Sequence, residues 1–86
     1  MKKSFASVIK QARLRKNLTI MELSYKLKVS STYFHKIEML NEIPKRELVI
    51  GLCKVMGLQE EQMLKLAVRD KLKAYEAQLR KKYKIQ

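Results

Sequence analysis

Tryptophan is absent from this chain, and glycine and proline are scarce, at two and one residues. A sheet of many short strands needs turn residues that such a composition does not supply, so helices with brief connections fit it better. Cysteine occurs once, as Cys53, which excludes an intrachain disulfide and suits a reducing compartment. The single histidine, His35, has only Met39 one helical turn away, a poor partner for zinc. Long apolar runs are also missing: no stretch approaches the ~20 residues of a membrane-spanning helix. The opening MKKSFASVIK carries two lysines with no apolar run behind them, which does not read as a secretory leader. The expected location is the cytoplasm.

Acidic residues are in short supply too. Eight Asp and Glu stand against 20 Lys and Arg, a net charge of +12. An excess of that size in 86 residues favours polyanionic partners: DNA, RNA or an anionic membrane face. The length suits one core, and an apolar content of 47% is enough to fill a modest one.

Hydrophobic spacing divides the chain into helices. Residues 4–16 place Phe5, Val8, Ile9 and Ala12 on one face, with Ser4 as N-cap and Asn17 as a left-handed stop. Thr19 and Glu22 have the spacing of a capping box, and Leu18 and Leu23 that of a hydrophobic staple, opening a helix over 20–27 that buries Leu23 and Leu27. After Lys28 and Val29, Ser30 caps a helix over 31–39 with Phe34, Ile37 and Met39 inward. A loop over 40–44 ends at Pro44, which keeps Ile43 extended. A fourth helix over 45–56 turns Leu48, Val49, Leu52, Cys53 and Met56 inward and stops at Gly57. A fifth starts near Gln59, uses Met63, Leu64 and Ala67, and meets no Gly or Pro before the end of the chain.

The segment LTIMELSYKLKVSSTYFHKIEM, residues 18–39, holds two short capped helices joined by three residues. Small Ser24 lets the helix backbones approach, and Val29 plugs the turn. This is the pattern of a helix-turn-helix, in which the second helix offers its N-terminal residues to base edges. Its outward positions are Ser31, Thr32, His35 and Lys36, all able to donate hydrogen bonds.

With FASVIKQARLRKNLT, MELSYKLKVSSTYFHKIE, and Pro44 ahead of ELVIGLCKVMGL in this order, residues 5–66 resemble the Cro-like, lambda-repressor-like helix-turn-helix family. The resemblance implies an all-α, five-helix DNA-binding domain over 1–68, with helices 2 and 3 as the helix-turn-helix, and a basic helical extension over 69–86. It implies that Arg13 and Glu38 form a structural ion pair tying the first helix to the third. It implies base contacts from Ser31, Thr32, His35 and Lys36, and phosphate contacts from Thr19, Tyr33, Asn41, Lys45 and Arg46. The chain departs from the family at Ile20, where many members carry a phosphate-binding Gln, and at Lys28 and Leu40, where Gly is common. A left-handed Lys28 would carry a strain of ~1–2 kcal/mol. Ile20, Leu40, Ile43 and Ile50 are expected to be exposed apolar residues, the mark of a protein interface.

The function implied is a sequence-specific transcriptional regulator, a repressor binding a palindromic operator as a homodimer, because one short helix touches too few base pairs for useful specificity. Two other readings stay open: a protein-interaction module on the same fold, such as an antitoxin or an inhibitor of a partner protein, and a non-specific nucleic-acid binder. No phosphate loop, metal cluster or nucleophile–base arrangement can be found, so neither an enzyme nor a cofactor is expected. In residues 69–86, seven Lys or Arg and two acids leave a local +5, and Val68, Leu72, Tyr75 and Leu79 repeat at coiled-coil spacing. That stretch reads as a helix that dimerises or packs back on the domain, as a basic arm along DNA, or as a solvated extension.

Overall fold

Hydroxyl side chains set the starts of the first three helices. In the computed structural model, which describes residues 3–85, Ser4 Oγ accepts the Ser7 N–H at 3.1 Å and opens α1, Phe5–Arg15. Thr19 opens α2, Ile20–Leu27, with both halves of the capping box formed: its Oγ1 accepts the Glu22 N–H at 3.0 Å, and Glu22 Oε1 accepts the Thr19 N–H at 2.9 Å. The bond from the Thr19 backbone holds the Glu22 carboxyl below its ordinary range. Ser30 Oγ accepts the Tyr33 N–H at 3.0 Å and opens α3, Ser31–Leu40. The remaining helices, α4 (Arg46–Met56) and α5 (Glu60–Lys82), start without side-chain caps. Glu60 and Glu61 in the first turn of α5, and Arg80, Lys81 and Lys82 in its last, complement the helix dipole instead.

The stops are backbone events. Asn17, Lys28, Asn41 and Gly57 are all left-handed, at φ 56, 58, 53 and 67°. Lys28 does so despite its Cβ, as the tight α2–α3 turn requires.

The fold is all-α, with no strand among the described residues. Helix α1 packs against α3, α4 and α5, while α2 packs on α3 and α4. Phe5, Ile9, Leu23, Phe34, Ile37 and Leu52 are fully buried at the centre. Ser24 is buried where α2 meets its neighbours, and its Oγ has no hydrogen-bond partner among the described residues.

Several expectations need correction. Met39 is 60% exposed, because Phe34, Ile37 and Glu38 already make the inward face and position 39 lies on the far side of the helix. Leu40 belongs to α3, so the loop begins one residue later. Leu27 and Leu64 are half-buried. Of the four residues expected to be exposed and apolar, only Leu40 is so, at 71%. Ile20, Ile43 and Ile50 are half-buried, the first two packed on the edge of the core.

Helix α5 crosses positions 68 and 69 without a break, and the last fully buried residue is Asp70. Residues 71–78 are exposed throughout, so this stretch does not fold back on the domain, and the molecule is drawn out to 42 × 25 × 24 Å. Met1, Lys2 and Gln86, the outer ends of the two expected regions, lie outside the described residues. No helix among the described residues is long and apolar enough to cross a membrane.

Candidate nucleic-acid interface

Helix α3 is held from behind by a buried ion pair. Arg13 Nε donates to Glu38 Oε2 at 2.7 Å and Nη2 to Oε1 at 3.1 Å, a two-point contact that fixes both planes. The Arg13 Nη1 donates to the Leu18 carbonyl at 2.7 Å, which brings in the chain between α1 and α2. The side chains are 10% and 1% exposed. Phe34 and Ile37 lock the same face of α3 into the core. Rotation or sliding of α3 would break all of these contacts together, so its outer face has a fixed aim.

That outer face carries Ser31, Thr32, His35 and Lys36. All four are exposed, and together with Ile20 they line one shallow depression. Their helical spacings of three and four place them side by side. Each has a donor, and the Thr32 methyl adds an apolar contact.

Flanking this face, Tyr33 lines a neighbouring hollow together with Lys26, Lys28 and Lys45. Tyr33 is half-buried; burial pushes its phenol up, and Glu42 pushes it in the same direction, so the hydroxyl keeps its proton and can donate. Lys45 and Arg46 are exposed at the uncapped start of α4, where backbone N–H groups point outward. The exposed Thr19 hydroxyl accepts the Glu22 N–H and in turn bonds the Glu22 carboxylate, so it is committed to the cap of α2. Lys26 and Lys28, exposed in the hollow with Tyr33, are not among the residues expected from the sequence. Their signal is two lysines beside the α2–α3 turn.

Asn41 stands apart. Its Oδ1 accepts the Ala6 N–H at 2.9 Å and its Nδ2 donates to Asp70 Oδ2 at 3.0 Å, so the amide ties α1 to α5 while its second N–H has no partner among the described residues. Asp70 Oδ2 also accepts the Phe5 N–H at 2.8 Å, and Oδ1 accepts Arg69 Nε at 2.9 Å. Helix α1, which has no acid in its own first turn, thus receives a carboxylate at its N-terminus from α5. Burial pushes the Asp70 carboxyl up, but the bonds from Phe5, Asn41 and Arg69 prevail and hold it below its ordinary range.

The Cys53 thiol is buried, and burial, with help from Glu60, pushes its pKa up and away from the reactive thiolate. No group of three or more His, Cys, Asp or Glu among the described residues could hold a metal ion. Comparison with protein-family models, with curated proteins and with solved structures finds no match.

Proposed function

We propose that this chain is a cytoplasmic, sequence-specific DNA-binding regulator that lays α3 in the major groove. The observation that carries this reading is the two-faced character of α3. Its inner face is fixed by Phe34, Ile37 and the Arg13–Glu38 pair, while Ser31, Thr32, His35 and Lys36 share one exposed, donor-rich surface. In the groove, Lys36 donates to guanine O6 and N7, His35 and the two hydroxyls reach neighbouring base edges, and the Thr32 methyl meets a thymine methyl. Thr19, Tyr33, Lys45 and Arg46, joined by Lys26 and Lys28, then lie toward the phosphates on either side. The net charge of +12 supplies the sequence-independent attraction. The resemblance of residues 5–66 to Cro-like proteins supports the same docking, with α2 and α3 as the helix-turn-helix. Two copies on a palindromic site about one helical turn apart give the specificity that one short helix lacks, and occupancy of such a site represses transcription.

Competition binding tests this reading. A sequence selected from a random DNA library is expected to be preferred by ~10³-fold or more over random DNA at physiological salt. Equal affinity for all sequences with a steep salt slope would instead indicate a non-specific binder. No binding even at low salt would overturn the DNA reading and point to a protein partner, for which exposed Met39 and Leu40 are the apolar anchors.

A further inference from the structure

Helix α5 carries an apolar stripe that starts at the edge of the core at Leu64 and runs out past Asp70, where residues 71–78 are all exposed. Val68, Leu72 and Tyr75 are 58, 62 and 59% exposed, and Tyr83 is 65% exposed. Leu64 and Leu79, on the same stripe, are half-buried. From Leu64 to Tyr83 the stripe steps by four, four, three, four and four residues. This series reads the same in both directions, as an antiparallel pairing of a helix with itself requires: Leu64 then meets Tyr83 of the second copy, Val68 meets Leu79, and Leu72 meets Tyr75.

The charges along α5 suit this direction. Its first turn carries Glu60 and Glu61, and its end carries Lys81, Lys82 and Lys84. Antiparallel pairing sets the acidic end of each copy beside the basic end of the other and opposes the two helix dipoles. Beside the seam, Lys71 of each copy meets uncharged Gln78 of the other, while Arg69 stays with Asp70 and the Lys3 carbonyl, and Glu76 with Arg80, within each chain. A parallel pairing would stack three lysines on three lysines and two glutamates on two.

The domain also offers room at the receiving end. Leu64 and Val68 form a ridge between two hollows, one edged by Glu60 and Glu61, the other floored by Ile43, Pro44 and Val49. The stripe is about 28 Å long at 1.5 Å per residue. A free helix of that length would be marginal, but burial of Met63, Ala67 and Asp70 already fixes the first half of α5.

We infer that this chain forms a symmetric dimer through antiparallel pairing of α5 along Leu64, Val68, Leu72, Tyr75, Leu79 and Tyr83. The pairing supplies a surface for the two-copy arrangement proposed above, yet it stands on α5 alone. It is tested without DNA, so that either reading can fail while the other holds.

Sedimentation equilibrium of the full chain is expected to give a dimer, and Leu72→Glu to raise its dissociation constant by about 100-fold or more. Because Leu72 is exposed in the single chain, that variant keeps a cooperative melting transition of the domain, while the unpaired outer half of α5 loses helical signal. Direction is read by cross-linking. A mixture of Val68→Cys and Leu79→Cys chains should form a heterodimeric disulfide readily, and Val68→Cys alone should not. Reversing Glu60 and Glu61 to Lys should weaken the dimer, as should reversing Lys81 and Lys82 to Glu, and the combination should restore it. A monomer at all accessible concentrations, or rapid disulfide formation by Val68→Cys alone, would overturn the inference.

Discussion

Removing one member of the Arg13–Glu38 pair is expected to cost far more than removing both. With Arg13→Met, the Glu38 carboxylate, 1% exposed, loses both of the hydrogen bonds that Arg13 donates and stays beneath the α1–α3 contact. Stranding one charge of such a pair costs ~3–5 kcal/mol. The Leu18 carbonyl also loses its donor at 2.7 Å, adding about 1 kcal/mol. A domain of this size has a total stability of roughly 5–15 kcal/mol, so Arg13→Met should fold only marginally. Each kcal/mol shifts its melting temperature by about 4–8 °C, so a fall of more than 12 °C is expected. Methionine at both positions leaves no stranded charge and fills much of the same volume. The double variant should therefore recover at least ~2 kcal/mol relative to Arg13→Met. Urea denaturation followed by circular dichroism at neutral pH measures all three variants. If Arg13→Met costs under about 1 kcal/mol, the pair behaves as a surface ion pair does, and its role in holding α3 is refuted.

Three further outcomes follow from single residues. Asp70 holds its proton less tightly folded than unfolded, so its contribution is complete above the ordinary carboxylate range and fades as pH falls through the depressed folded value. Asp70→Asn should cost ~1–3 kcal/mol at pH 7 and flatten the loss of stability below about pH 4, both readable as urea midpoints against pH. Lys28→Gly removes Cβ strain at φ 58° at some cost in unfolded-chain entropy, for a net gain of about 0.5–1 kcal/mol; a loss in thermal melts would mean the side chain matters more than the backbone. Ser24→Ala deletes a buried hydroxyl without a partner and improves helix propensity, so it should be neutral or stabilising by up to ~1 kcal/mol, whereas Ser24→Leu should unfold the α2 contact.

Local chemistry explains which parts of this molecule could be read in advance. Caps and stops depend on residues a few positions apart: Ser4, Asn17, Thr19 with Glu22, and Ser30 stand at helix boundaries through their side chains, and Gly57 through its lack of one. Inward stripes follow the same short-range periodicity, and the five residues expected inward from α4 are all buried. Met39 escaped because a ten-residue helix has room for only one inward face, and Glu38, needed by Arg13, took the place beside Ile37. Asp70 escaped for a different reason. It is one acid in a basic stretch, and its partners Phe5 and Asn41 lie 65 and 29 residues away, beyond the reach of any periodicity. The same contact ties the Asn41 amide into the fold, a role that its place after α3 did not signal. The outward set on α3 was legible because exposure there is the complement of a strongly marked inner face.

The account rests on that outer face reading bases rather than merely attracting phosphates. Parallel selection from one random DNA library with the wild-type chain, Lys36→Ala and Arg46→Ala separates the two roles. Lys36→Ala should lose preference for guanine at specific positions, and Arg46→Ala should keep the wild-type preferences while binding every sequence more weakly. Identical preferences in all three proteins, with both variants weakened alike, would contradict the assignment of α3 as the reading helix.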